Sequence, residues 1–220
     1  MKRITILMLI VLCAAPAFAQ QNGTQFGYIT ELTGTVELKP DGRADFVPAN
    51  AGDTVASNTI VSTGFKSTAL IKVGSAVLTV RPLTRLSLKE ISASAGTETI
   101  NVNLQTGRVK VDVNPPAGTR TSMAVTSPIA TASVRGTSFE FDTQSVNVLE
   151  GTVAFKGAGD QTMMVGPGSF SDISANGKPA DPAETYAASL LPTPPAGREA
   201  GYRRNASVPA GEFVFVLDLR

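Results

Sequence analysis

Between Ser127 and Lys156 the chain reads SPIATASVRGTSFEFDTQSVNVLEGTVAFK. Here Val134, Phe139, Phe141, Val146, Val148, Val153 and Phe155 alternate with polar or small residues. Successive side chains of a strand point to opposite faces, so this period of two requires strands with one face buried. Gly136 and Gly151 interrupt the alternation where corners are needed, and glycine supplies the positive φ angles of tight corners. The stretch cannot sit still as a helix.

The same pattern extends from Tyr28 to about Ile173. Val36 and Leu38 open it; Ala69, Ile71 and Val73 continue it, followed by Leu86 and Leu88. Then come Ile100, Val102 and Leu104, and after them Val109, Val111 and Val113. Each run predicts a strand of roughly 4–7 residues with one face in water. No run keeps an apolar period of 3.6. A small unit recurs at unequal intervals: Gly34-Thr35-Val36, Gly107-Arg108-Val109 and Gly151-Thr152-Val153. Regular solenoids and propellers keep a fixed period. The expectation is therefore an all-β domain over residues 20–175, built as an irregular β-solenoid or rolled sheet of short strands.

The N-terminus reads as a secretory signal peptide over residues 1–19. Lys2 and Arg3 precede the apolar run Ile4 to Ala15, and Ala17-Phe18-Ala19 is a small-x-small cleavage site. That run is shorter than the ~20 residues that span a bilayer. Cleavage between Ala19 and Gln20 removes the one cysteine, Cys13, and leaves no transmembrane segment in the mature chain. It also takes two from the 19 basic residues against 18 acidic ones, a net charge of −1. Nothing in that balance steers the chain toward nucleic acid or an anionic membrane.

The chain has no histidine. This removes the commonest general base and the commonest zinc ligand. With no cysteine in the mature chain, Ser-His-Asp and Cys-His arrangements are closed as well. No phosphate-binding glycine loop is present. The reading is of a non-enzymatic protein without cofactor or metal.

Beyond residue 175 the character changes. Residues 176–211 form a Pro-rich linker, in which Glu184 to Leu191 could make two helical turns. Arg198, Arg203 and Arg204 read as a solvated basic cluster. Residues 212–220, GEFVFVLDLR from Gly211 onward, are apolar on both faces and predict a C-terminal strand that packs on the domain or on a partner.

Residues 34–156 resemble the FecR domain family, the periplasmic sensor portion of bacterial cell-surface signalling proteins. Gly34-Thr35-Val36 opens the match, followed by Ala51-Gly52-Asp53-Thr54-Val55 and Ile60-Val61-Ser62-Thr63-Gly64. Ser67 to Val73 and Leu78 to Leu88 match a strand pair centred on Pro-x-Thr-x-Leu. Leu104-Gln105-Thr106-Gly107-Arg108-Val109 comes next, then Thr126-Ser127-Pro128 through Val134-Arg135-Gly136-Thr137-Ser138-Phe139, and finally Val148-Leu149-Glu150-Gly151-Thr152-Val153. The resemblance implies an all-β, solenoid-like domain that works through protein partners. Full signalling members carry a cytoplasmic anti-sigma segment and a transmembrane helix before this domain. A cleavable signal stands in their place here, so the resemblance carries over the domain and not the regulatory role.

The signature residues are Gly52, Asp53, Gly107, Arg135, Gly136, Thr137, Phe139, Glu150 and Gly151, and their expected role is structural. Arg135 either faces a partner at an edge, or covers a corner with its stem or pairs with a carboxylate. At Gly136 and Gly151 a β-carbon is expected to clash at a turn. Asp41-Gly42 reads as a hairpin turn and not a calcium loop, which needs about six oxygen ligands. Asp112, Glu140, Asp142 and Glu150 could approach one another as glycosidase carboxylates do, yet each sits as a solvated strand-face residue would. The sequon at Asn205 is incidental in a bacterial protein.

The expected function is protein–protein contact in the cell envelope, in sensing or envelope organisation, in the periplasm or after secretion. The alternative is a glycan- or peptidoglycan-binding module, which needs exposed aromatic platforms. The chain has no Trp and three Tyr, and a groove lined by Tyr28, Tyr186 and Tyr202 would favour it.

Overall fold

Seventeen strands run through residues 26–94, 96–159 and 161–183, the part of the protein described by a computed structural model. In chain order they are β1 (Gly27–Thr33), β2 (Val36–Lys39), β3 (Val47–Pro48), β4 (Thr54–Val55), β5 (Ile60–Thr63) and β6 (Thr68–Val73). Next come β7 (Ala76–Val80), β8 (Arg85–Ser94), β9 (Thr97–Thr106), β10 (Arg108–Val113), β11 (Arg120–Thr126) and β12 (Thr131–Val134). The last are β13 (Ser138–Asp142), β14 (Ser145–Glu150), β15 (Val153–Lys156), β16 (Thr162–Val165) and β17 (Phe170–Asp172).

The first sheet has the order β17-β14-β13-β10-β7-β6-β1-β4, and the second β16-β15-β12-β11-β9-β8-β5-β2-β3. Apart from β4 and β3, which flank β1 and β2 at the outer edges, position in both advances with the sequence, so the chain alternates between two growing open sheets. Every neighbouring pair is antiparallel except β9 with β11, which run parallel from Thr97↔Arg120 to Asn103↔Thr126. Parallel partners need a crossover, and β10, lying in the other sheet, is that crossover. The all-β expectation holds. Its architecture is a pair of stacked sheets built largely from hairpins.

The alternating residues meet between the sheets. Val134, Phe139, Phe141, Val146, Val148, Val153 and Phe155 are all 4% exposed or less. Phe141 of the first sheet meets Phe155 of the second edge to face, with centroids 6.3 Å apart and planes at 79°. Full burial of side chains this size contributes about 1.5–3 kcal/mol each. The opposite face of the first sheet is charged and its ions are paired, across strands or along β10. Arg81 bonds to Glu140, Arg108 to Asp142 at 3.3 Å, and Lys110 to Asp112 at 3.0 Å.

The recurring glycine units stand at sheet-to-sheet corners. Gly34 carries the chain from β1 to β2, Gly107 from β9 to β10, and Gly151 from β14 to β15, with φ of 76°, 88° and 80°. Each sits against a buried hydroxyl of a neighbouring crossing: Ser67, Thr84 and Thr137 respectively. In all three the residue after the glycine bonds that hydroxyl. Thr35 N–H donates to Ser67 Oγ at 2.8 Å, Arg108 N–H donates to Thr84 Oγ1 at 3.0 Å, and Thr137 Oγ1 donates to the Thr152 carbonyl at 3.4 Å. Backbone groups turned inward at a corner lose their ladder partners, and a buried hydroxyl replaces them.

Two lengths differ from expectation. β8 and β9 have ten residues each, because their hairpin continues past Leu88 through a register shift between Leu88 and Glu90. The Asp41-Gly42 turn joins β2 to β3, with Arg43 N–H on the Pro40 carbonyl at 3.1 Å. The start of the Pro-rich segment folds back on β17, where Ala180 N–H donates to the Asp172 carbonyl at 2.8 Å and Ile173 bridges Pro179. The signal segment with Ala19 and Gln20, the Glu184–Leu191 stretch, the rest of the linker and the C-terminal strand at 212–220 lie outside the described residues.

Candidate interaction surface

Thr63, at the end of β5, organises one end of the two-sheet stack. Its Oγ1 donates to the Arg81 carbonyl at 2.6 Å and accepts the Thr84 N–H at 3.0 Å, while its own N–H donates to the Thr84 carbonyl at 2.9 Å. Thr84 Oγ1 in turn accepts from Arg108 N–H and donates to the Arg108 carbonyl at 3.1 Å. Arg81 N–H donates to that same carbonyl at 3.1 Å. The short connection Arg81–Thr84 is thus held at both ends by side-chain hydroxyls buried to 4% and 1% exposure. A buried network with every member satisfied is rigid.

That rigid connection carries Leu83 in a left-handed conformation, φ 55°, with the residue 60% exposed. Leu83 N–H donates to the Gly64 carbonyl at 3.2 Å, which places Leu83 beside Phe65. Phe65 is 74% exposed, and the next residue, Lys66, also has a positive φ of 52° and sets its Nζ 5.6 Å from the Phe65 ring centroid. A left-handed backbone costs an ordinary side chain about 1–2 kcal/mol, and such strain persists only where the surroundings over-determine it. Here it holds two large apolar side chains out in water.

Ile129, 41% exposed, lies at the same end of the stack, in the turn between β11 and β12. Ser127 Oγ accepts Ala130 N–H at 3.0 Å to shape that turn, and donates to the Thr143 carbonyl at 2.6 Å in the β13–β14 turn. Between Leu83 and Thr143 opens a cleft of about 570 Å³ lined also by Arg81, Arg108, Glu140 and Asp142. The end therefore presents three exposed apolar residues, Phe65, Leu83 and Ile129, of which Leu83 borders a charged cleft whose ions are already paired with each other. Paired in this way, Glu140 and Asp142 are counter-ions of arginines, and Asp112 accepts from Lys110 and from Ser138 Oγ at 2.5 Å. Glu150 is exposed in the strand leading to Gly151. Asp112, Glu140 and Asp142 are thus divided among separate partners, and Glu150 stands apart from them. Among the described residues no group of three His, Cys, Asp or Glu side chains is arranged to hold a metal ion.

The remaining signature residues form corners. Gly52 has φ 93° and donates its N–H to the Ile29 carbonyl at 2.7 Å; Asp53 accepts Asn50 N–H at 2.7 Å. Thr137 and Phe139 are buried. At Gly136 the expected clash is absent: the nearest atom to an added β-carbon is Pro115 Cδ at 3.7 Å, and only φ, at 67°, calls for glycine. At Gly151 the space is tighter, with the Gly136 carbonyl oxygen at 3.2 Å. Arg135 is exposed, and it follows β12, an interior strand, so it lies at a corner and not on an edge. It forms no ion pair with a described carboxylate. Tyr28 is exposed near the start of β1, away from Phe65 and Leu83; Tyr186 and Tyr202 lie outside the described residues.

Sequence patterns did not single out Phe65, Leu83 or Ile129. A signal was present: each is a large apolar residue in a turn, where the strand alternation gives it no core face to fill.

Residues 59–154 match the family model described as FecR protein. This stretch is a FecR domain. The model begins at β5 and ends at β15, so it contains the Thr63–Thr84–Arg108 network and the Gly107 and Gly151 corners, while the FecR-like Gly34 corner precedes it. Two crystal structures of a candidate anti-sigma factor from Parabacteroides distasonis are similar to the chain at 16% identity, with TM-scores of 0.45 and 0.44. The similar region covers 58% of this chain and 63% or 62% of that one, under two thirds of its length. No curated protein matches the sequence. No helix among the described residues is long and apolar enough to cross a membrane.

Proposed function

We propose that this FecR-domain protein is a non-enzymatic protein-binding module of the bacterial cell envelope, exported by its N-terminal signal segment and acting in sensing or envelope organisation. The contact surface is the end of the stack that carries Phe65, Leu83 and Ile129. The observation that carries this reading is the strained, exposed Leu83. Its backbone conformation is unfavourable and its side chain fills no core, so folding gains nothing from leucine there. A gain on association supplies the reason, since aromatic and aliphatic side chains at the centre of a patch contribute most to protein contacts.

The domain acts as a rigid platform. The Thr63–Thr84–Arg108 network fixes Leu83 before a partner arrives, which lowers the ordering cost of binding. The paired ions of the cleft form a polar border that excludes mismatched charge. A photo-crosslinking residue at position 83 in cells tests the reading, with the same residue at Asn147, on the exposed face of β14, as control. Discrete adducts from position 83 that vanish with Phe65→Ser are expected. The same adducts from both positions, or none from 83, overturn the proposal.

A further inference from the structure

Of the four sheet edges, three are blunted. In the second sheet β3 has two residues, one of them Pro48, which has no N–H to offer. In the first, β4 has two residues, and β17 is covered by the return of Pro179 and Ala180, with Ser171 Oγ donating to the Ala180 carbonyl at 2.7 Å. The fourth edge is β16, Thr162–Val165, sequence TMMV. It has neither a charge nor a proline. Among the described residues it pairs only with β15, and Met164 is 62% exposed on its outer face. Every second N–H of such a strand points away from its one neighbour. An uncharged, apolar, uncovered edge is the kind that natural proteins cover, because it templates aggregation.

We infer that β16 is the acceptor edge for the chain's own C-terminal segment, Phe213–Leu219, which adds to the second sheet as an eighteenth strand. The segment is the complement of the edge. In FVFVLDL, Phe213, Phe215, Leu217 and Leu219 alternate with Val214, Val216 and Asp218, one set wholly apolar and suited to a core, the other apolar but for Asp218 and suited to lie beside Met164. The tether is also placed correctly. The described chain ends at Ala183, just after β17, which terminates the first sheet at the same end of the stack that β16 terminates in the second. From there residues 184–211 reach roughly 90 Å if extended, more than enough to return along one sheet edge. A tethered strand has a high effective concentration at its acceptor, which favours it over a second copy. The aggregation-prone edge and the aggregation-prone tail then cover each other.

Disulfide trapping in the full chain tests this, with Cys13→Ser removing the natural thiol. Met164→Cys is combined in turn with Phe213→Cys, Val214→Cys, Phe215→Cys and Val216→Cys. The inference expects an intrachain disulfide for alternate positions, either 213 and 215 or 214 and 216, in monomeric protein. Backbone amide exchange gives an independent reading: β16 keeps its protection in the full chain and loses it when residues 212–220 are deleted, while β10 stays protected in both. Interchain 164–164 disulfides alone would assign the edge to a second copy and overturn the inference. So would the absence of any position-dependent cross-link together with unchanged exchange across β16.

Discussion

Thr84 and Arg108 are joined twice through one oxygen: Thr84 Oγ1 accepts the Arg108 N–H at 3.0 Å and donates to the Arg108 carbonyl at 3.1 Å. The pair lies beside Gly107, whose added β-carbon would stand 2.5 Å from Thr84 Cα and 2.8 Å from the Leu83 carbonyl. Both neighbours are backbone and cannot rotate away.

Gly107→Ala is therefore expected to cost more than Gly136→Ala, although both glycines have positive φ. The first meets backbone and should lose at least ~3 kcal/mol; the second carries only the conformational penalty of about 1 kcal/mol. Urea midpoints of the two variants decide it, and equal losses would contradict the corner geometry. Gly136→Val, with a branched side chain at the same φ, should lose about 1–3 kcal/mol.

Thr84→Val removes the hydroxyl while keeping the shape. It leaves the Arg108 N–H without its acceptor, while the Arg108 carbonyl keeps the Arg81 N–H, at a cost of about 1–3 kcal/mol. Thr84→Ser, which keeps the oxygen, should recover most of it in the same titration.

The sequence made the core legible almost residue by residue between Val134 and Phe155, because each apolar side chain there serves one face. It hid the second half of the β8–β9 hairpin, since Ser92 to Thr99 carry few apolar residues and the bulge after Leu88 breaks the period. The pairing of β9 with β11 was invisible for a different reason. It depends on β10 leaving for the other sheet, which no local pattern records. The exposed patch was missed because Leu83 and Phe65 sit in turns, and only a hydrogen-bonded backbone shows that their exposure is imposed.

Phe141 and Phe155 tie the two sheets together. Phe155→Ala should cost about 3–5 kcal/mol, and the double-mutant cycle with Phe141→Ala should return about 0.5–1.5 kcal/mol of coupling for the edge-to-face pair. Additive losses would mean that the rings contribute by burial alone.

Arg81 and Glu140 are 43% and 23% exposed at their side chains. Glu140→Gln should therefore cost no more than about 1 kcal/mol, and less as salt rises. A large, salt-independent loss would give the cleft a larger part in stability than its exposure allows.

Export predicts a mature chain beginning at Gln20. Mass spectrometry of protein recovered from the envelope should find that terminus, and a retained Met1 in every fraction would remove the localisation on which the proposed function rests.

The most direct test of the central claim is the stability of Leu83→Asn. Asparagine tolerates the left-handed conformation that leucine does not. If Leu83 is held out for a partner, folding gains from the exchange: the urea midpoint rises by the equivalent of about 0.5–1 kcal/mol, while cross-linking from a photoreactive residue at position 65 is lost. If the midpoint instead falls by ~1 kcal/mol or more, leucine serves the fold, and the patch is not a binding surface kept at the expense of stability.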